Sequence, residues 1–342
     1  MKVAINYKAQ EGPWGGGNFF VLSLTRRLQE AGHQVVNHLG DPDLDFILLI
    51  DPRVRSPNVT FGMGAILRHR LRHPHALVIH RINECDERKN THHMNSMLAR
   101  ANYGADHTVF VGSWLLELPV WRSRPNPERS VILNGSDPTL YHPRGYRPWN
   151  GREPLRLVTH HWGGHWMKGF DVYQRLDQMM GEAAWRDRIQ FTYIGNLPAG
   201  FRFINARHEP PCAGAALAER LRAHHVYVTG SRNEPGGNHQ NEGALCGLPL
   251  IYRMSGCLPE YCAGFGLGFD PPEFEAVLSR MMAEYAEWVP RMAGYPHDAD
   301  RTAREWLALL ERLDGRREAL AVRRGERRNP WLFWRNQLAW FP

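Results

Sequence analysis

Runs such as DFILLI (45–50) and ALVIH (76–80) are apolar at consecutive positions, not at every second one. A strand of that kind has no face to give to water, so it belongs inside a parallel sheet covered by helices on both sides. VAINY (3–7), QVVNHL (34–39) and HTVFVG (107–112) continue the series. Helical patterns lie between them. Asn18 reads as the cap of a helix that carries Phe20, Val21, Leu24 and Leu28 on one face and stops at Gly32, and further helix-like segments fall at 91–102 and 113–118. Such alternation predicts a doubly wound α/β domain.

The pattern then stops and starts again. VILNGSDPTLYHP (131–143), where Asn134 and Asp137 are predicted to make turns, runs into a Pro/Gly/Trp-rich stretch that lasts to about Pro154. Beyond it come LRLVTHHW (155–162), a helix at 169–181, QFTYIG (190–195), a helix near 214–223, VYVTG (226–230), a helix at 239–246 and PLIY (249–252). A chain of 342 residues is too long for one ordinary core and suits two domains. The reading is therefore a first domain over 1–150, a second over 151–310 and a basic, aromatic tail over 311–342.

Composition excludes several classes. With 43% apolar and 23% charged residues the chain is a folded one. No run approaches the roughly 18 to 20 apolar residues that span a bilayer, and MKVAINYK lacks a signal-peptide core. Cys85, Cys212, Cys246, Cys257 and Cys262 have no metal-ligand spacing and read as reduced thiols, so a cytoplasmic protein is expected. The net charge of +7 suits nucleic acid, anionic lipid or phosphate-bearing substrates and chooses none of them.

One stretch narrows the chemistry. EPGGNHQNEGALCGLP (234–249) follows the VYVTG strand, so Glu234 falls in the loop at the strand's C-terminal end and Glu242 in the first turn of the next helix. Ligands of open α/β sheets bind at such strand ends. Gly236 and Gly237 let the backbone approach an anion at the helix start, and Asn238 stands at the cap. Amides for a phosphate, with a carboxylate on each side for hydroxyls, make a slot shaped for a nucleotide sugar.

Glu-x7-Glu ahead of a small-residue helix resembles the signature of the family-four retaining glycosyltransferases. That resemblance implies the GT-B fold, two Rossmann-like doubly wound domains facing each other across a cleft, with an N-terminal acceptor domain and a C-terminal donor domain. It also implies that Glu234 lies against the donor sugar and Glu242 on the ribose, with Gly236, Gly237 and Asn238 near the sugar and diphosphate. KGFD (168–171) fits the family's Lys-Gly-Phe segment, which makes Lys168 a charge on the diphosphate. The family's Arg five residues earlier is replaced by Gly163, with His161 or His165 as substitutes. By the same resemblance the first-domain loop GPWGGGN (12–18) brings Gly15, Gly16 and Gly17 to the phosphate or acceptor. In VIHRINECDER (78–88) the resemblance puts His80 beside the donor sugar, with Arg81 as the alternative, either one able to reach a phosphate or acceptor group; a satisfied core histidine is the other reading of His80. Glu260 is a weaker candidate. The cluster of His160, His161 and His165 invites a zinc reading, but it sits in a strand and loop with no partner ligand at the right spacing, so no metal and no cofactor are expected.

The tail RRGERRNPWLFWRNQLAWFP (323–342) interleaves Arg with Trp331, Phe333, Trp334, Trp340 and Phe341. It fits a terminal helix sealing the first domain, an anionic membrane surface at the inner face of the cell membrane, or a partner protein or single-stranded nucleic acid, the last of these not expected. The function expected is metal-independent, hexosyltransferase-like transfer from a nucleotide sugar to a glycan or lipid-linked acceptor, with retention. A nucleotide-sugar epimerase or phosphorylase on the same fold, or a non-catalytic membrane- or nucleic-acid-binding protein, is the alternative.

Overall fold

In the computed structural model the described residues are 1–10, 16–122, 128–326 and 329–338, with the backbone only at 325–326. They form two compact units: residues 1–133 together with 302–342, and residues 134–301.

The first unit is built on six strands: β1 (Lys2–Ile5), β2 (Gln34–Val36), β3 (Phe46–Leu49), β4 (Leu77–Ile82), β5 (His107–Phe110) and β6 (Arg129–Val131). All pair in parallel in the order β2-β1-β3-β4-β5-β6. The consecutive apolar residues do what the sequence requires of them. Val3, Ile5, Phe46, Leu48, Leu77 and Ile79 fill the core on one face of the sheet. Their neighbours Ala4, Ile47, Leu49, Ala76 and Val78 fill the core on the other. Burying a side chain of this size contributes about 1.5–3 kcal/mol, and a central strand collects it twice per residue pair. The helices are α1 (Gly16–Glu30), α2 (Met63–Arg72), α3 (Met94–Ala101) and the single turn α4 (Pro119–Arg122).

The second unit repeats the design with β7 (Leu155–His161), β8 (Ile189–Gly195), β9 (Arg207–Glu209), β10 (Val226–Thr229), β11 (Leu250–Arg253) and β12 (Gly266–Phe269). They form a parallel sheet in the order β12-β11-β10-β7-β8-β9. Helices α5 (Phe170–Met179), α6 (Gly214–Arg222), α7 (His239–Leu245), α8 (Leu258–Cys262) and α9 (Phe274–Trp288) cover it. Phe170, Tyr173 and Leu176 of α5 and Leu278, Met281 and Tyr285 of α9 share one core with Phe191, Val228 and Ile251 of the sheet.

Three features depart from the sequence reading. The first unit ends at Leu133, ahead of the Pro/Gly-rich stretch, and takes in the C-terminal helices α10 (Ala299–Asp314), α11 (Arg317–Glu326) and α12 (Pro330–Gln337). The cause is apolar surface: Trp306, Leu309, Leu310, Leu313 and Leu320 complete one sheet-face core, and Phe333 packs against the other. The α1 helix begins at Gly16, two residues before the expected cap, because the Asn18 amide exchanges hydrogen bonds with the backbone of Gln10 at 2.8 and 2.7 Å. The segment 113–118 is a short 3₁₀ turn instead of a helix.

Each sheet has one place where the winding reverses. There, successive crossovers leave in opposite directions and the loops at the strand ends part, which opens a crevice. In the first unit it lies between β1 and β3, and in the second between β7 and β10.

Candidate functional site

The second reversal gathers most of the predicted site. The loop after β7 carries Lys168 and the loop after β10 carries Glu234, and Lys168 Nζ donates to Glu234 Oε2 at 2.6 Å with both side chains buried. The two loops are fastened to each other by backbone, since Arg232 N donates to Met167 O at 2.8 Å. They also meet at two glycines: Gly169 has φ +96°, and a Cβ there would lie 2.3 Å from the carbonyl carbon of Gly230. Only glycine permits both that dihedral and that approach. Behind Glu234, Asn233 adopts φ 49°, a left-handed conformation that Asn tolerates. Its N–H donates to Ser255 Oγ at 3.0 Å, and Cys257 N donates to Glu234 O at 2.9 Å. The carboxylate therefore stands on a fixed backbone.

Glu242 is reached through a residue that the sequence reading weighed only as a metal ligand. His160, the penultimate residue of β7, places Nε2 2.6 Å from Glu242 Oε2 and Nδ1 3.1 Å from the Tyr227 hydroxyl. The carboxylate accepts from Nε2–H, and the contact of Nδ1 with the Tyr227 hydroxyl fixes the ring. His161 faces the other way, as successive strand residues must. Its Nε2 lies 2.6 Å from the Tyr173 hydroxyl of α5, and its ring packs on His239 at 4.6 Å between centroids. Burial, with the neighbouring His239 and Lys168 adding to it, holds the His161 imidazole well below its ordinary range, so it is neutral. It does not supply the positive charge that the sequence reading gave it in place of the missing arginine. Adjacent histidines on a strand serve opposite faces, and an HHW triplet could have signalled this.

Two cations beyond those foreseen stand at the start of α5. Arg232 Nη2 and Arg253 Nη1 meet Asp171 Oδ2 at 2.5 and 2.9 Å. Burial raises the Asp171 carboxyl, but the bond from Arg232 and the charge of Arg253 outweigh it and leave the group below its ordinary value. Arg253 closes β11, the strand beside β10, a position that a strand-end rule could have flagged.

The glycine loop is shaped from within. A Cβ on Gly237 would fall 2.8 Å from the His239 ring and 2.9 Å from Gln240 Oε1. Gly236 O accepts from Asn134 Nδ2 at 2.6 Å, which gives Asn134 a part in the site beyond its turn. Asn238 is the residue ahead of α7, yet its side chain makes no capping bond. Among the described residues, Asn238 Oδ1, Gln240 Oε1 and Ser231 Oγ are buried without a hydrogen-bond partner. Three such atoms around one loop are uncommon in a folded interior and mark a place able to take a polar ligand. Glu260 lies exposed on α8.

The first-unit candidates are placed differently. His80 lies inside β4 with no exposure, its Nδ1 3.1 Å from Asn102 Oδ1, and burial lowers its pKa to about 4. Arg81 is buried with its guanidinium 3.9 Å over the Phe20 ring. Gly16 and Gly17 open α1, and a Cβ on Gly17 would meet Asn83 Nδ2 at an ordinary 3.7 Å. Gly15 lies outside the described residues. No three or more His, Cys, Asp or Glu side chains able to hold a metal ion come together among the described residues.

No protein-family profile matches the chain. Over 223 residues it is 29% identical to a curated D-inositol 3-phosphate glycosyltransferase of Thermomonospora curvata, an alignment that covers 55% of this chain and 51% of that one. The chain thus spans about half the length of that relative. Among solved structures it resembles the sucrose-phosphate synthase of Thermosynechococcus elongatus, with a TM-score of 0.61 at 16% identity over 91% of this chain and 98% of that one. It also resembles Anabaena HepE in complex with UDP-glucose, with a TM-score of 0.65 at 12% identity over 92% and 100% of the two chains. At such identities the likeness is one of architecture: two six-stranded parallel sheets flanked by helices, the GT-B fold of these glycosyltransferases.

Proposed function

We propose that the protein is a retaining, metal-independent glycosyltransferase that moves a sugar from a nucleoside-diphosphate donor to a glycan or lipid-linked acceptor. The observation that carries the reading is the meeting of Lys168 with Glu234, beside His160 with Glu242, at the winding reversal of the second sheet. Buried charge is costly, and burying two carboxylates with their partners at a ligand-binding strand end is an arrangement that binding chemistry explains better than stability does.

In this reading the diphosphate lies against the 236–238 backbone and Lys168, whose ammonium has three donors and can hold a carboxylate and a phosphate together. Glu234 orients the sugar hydroxyls, and Glu242, held by His160, accepts from the ribose. The acceptor hydroxyl oxygen bonds to the anomeric carbon as the bond to the leaving diphosphate breaks, and the hydroxyl proton passes to that phosphate. The protein's contribution is then positioning and stabilisation of the departing charge. The UDP-glucose held by HepE makes a uridine donor the first to try.

Initial-rate transfer from UDP-, GDP-, ADP- and dTDP-sugars tests the reading. Glu234→Ala and Lys168→Ala should each lower transfer by about 10²-fold or more, and full activity in both would refute the assignment. An epimerase on this fold would convert donor with no acceptor present, so strict acceptor dependence separates the two.

A further inference from the structure

Among the described residues, the large hydrophobic side chains left exposed include Leu71 (72%), Trp331 (63%), Trp334 (65%) and Leu338 (59%). The last three recur at intervals of three and four and so share one stripe of α12. Leu71, near the end of α2, joins them: it lines a groove of about 600 Å³ with Leu67, Tyr103 and Trp334, and Arg70 and Arg324 complete the wall. Helix α12 is held against α2 by close backbone approach. A Cβ on Gly64 would fall 2.6 Å from Asn336 O, Gln337 Nε2 donates to Gly64 O at 3.1 Å, and Arg68 bonds the Gln337 amide oxygen. The two helices therefore present one composite surface.

Charge is concentrated on the same elements. Residues 63–72 hold three arginines and no acid, and residues 316–338 hold seven arginines and two glutamates, a net +8 against +7 for the whole chain. Every other segment together is close to neutral. Carboxylates answer part of this charge: Arg324 and Arg70 both turn to Asp106, Arg316 and Arg323 both turn to Glu128, and Arg317 meets Asp314 and Asp45. Arg335 lies 4.9 Å over the Trp331 ring, so cation and indole are exposed side by side.

We propose that this face of the first unit docks on an anionic lipid bilayer. Trp331, Trp334, Leu338 and Leu71 sit at the depth where headgroups meet acyl chains, the exposed Arg68, Arg72 and Arg335 face anionic headgroups, and the groove takes a lipid chain end. The proposal does not depend on the sugar-transfer reading. The surface chemistry separates it from other occupants. A second copy meeting this patch across a two-fold axis would set the exposed Arg68, Arg72 and Arg335 of one copy against those of the other. A single-stranded nucleic acid would stack on the tryptophans, but Leu71 and Leu338 offer nothing to a base.

The test is flotation of the full chain with vesicles of phosphatidylcholine alone and of phosphatidylcholine containing about one quarter phosphatidylglycerol. The wild type is expected to float with the anionic vesicles, and less so as salt rises. Trp331→Ser/Trp334→Ser, and separately Arg68→Glu/Arg72→Glu/Arg335→Glu, should each lower partitioning by about tenfold or more. Ile204→Ser, at the most exposed isoleucine of the second unit, should leave it unchanged. If the tryptophan variant fails to fold by circular dichroism, the charge variant decides alone. Equal flotation of the wild type and both variants would overturn the proposal. So would the absence of vesicle binding together with dimerisation or oligonucleotide binding that the same substitutions abolish.

Discussion

The two sheets reverse their winding once each, and the two crevices hold different kinds of side chain. At the β7/β10 reversal two buried carboxylates are each met by a side-chain donor: Lys168 Nζ on Glu234 and His160 Nε2 on Glu242, both at 2.6 Å. At the β1/β3 reversal they are mainly amides. Asn6 bonds the carbonyls of Asp51 and Phe61 at 2.7 and 2.9 Å, Gln10 bonds Asn58 at 2.6 Å, and Asn58 bonds Tyr7 at 2.9 Å. The described ion pair of that crevice, Asp51 with Arg53, leaves the arginine half exposed. One backbone rule thus yields a crevice braced by amides in one unit and a crevice holding a buried ion pair in the other. Neutral amides hold loops at little desolvation cost, whereas buried charges cost several kcal/mol each unless a function keeps them.

The largest expected effect lies in the charged slot. Lys168→Met or Glu234→Gln alone should cost transfer about 10²- to 10³-fold. Each should also destabilise the fold by about 3–5 kcal/mol, because a buried side chain loses the opposite charge that stands 2.6 Å from it. The double variant Lys168→Met/Glu234→Gln should recover stability in a denaturant melt while transfer stays lost. Recovery of both would mean that the pair is architectural, and the contrast between the two crevices would collapse.

Next in size is a stability effect in the first unit. His80 has its pKa lowered to about 4 in the fold against 6.5 for the free group. The unfolded chain therefore takes up the proton first as pH falls. The stability that the neutral side chain carries is complete above about pH 6.5 and drains away towards pH 4, a loss of about 3 kcal/mol for this group. Melts of wild type and His80→Gln over that window should converge as pH falls, with transfer at neutral pH nearly unchanged. A collapse of transfer in His80→Gln would instead place this histidine in the chemistry.

A smaller effect is expected at His160, which acts through Glu242. In His160→Gln the KM for donor should rise about tenfold with kcat little changed. A fall confined to kcat would place the residue at the reacting atoms. The smallest is Gly17→Ala. The new methyl meets only ordinary contact, and alanine inside a helix gains about 0.5–1 kcal/mol over glycine. A modest rise in melting temperature with donor affinity unchanged is expected. A tenfold loss of donor affinity would show that the first-unit loop approaches the ligand as closely as the second-unit loop does.

The sheets were legible in the sequence because their strands are apolar at consecutive positions, and that pattern has one good explanation. Short strands without it, Arg207–Glu209 and Gly266–Phe269, left no such mark. Glu234 and Glu242 are singled out by strand-end placement and spacing, and Lys168 by the likeness of KGFD to a family segment. What the spacing could not give is which group each side chain meets. His161 meets Tyr173 on one face of the sheet and His160 meets Glu242 on the other because strand residues alternate, and Arg253 joined the site only through the sheet order. The tail's place was hidden for another reason. An Arg- and Trp-rich segment looks the same in sequence whether it packs or not, and Gly64, the residue that lets α12 settle on α2, lies about 270 positions away.

The central claim is that the loops after β7 and β10 grip a nucleoside diphosphate, and calorimetric titration of UDP tests it without any acceptor. Binding to the wild type is expected to be saturable and to weaken at least about tenfold, or 1.4 kcal/mol, in the folded Lys168→Met/Glu234→Gln protein. An identical dissociation constant for the two proteins would contradict the account.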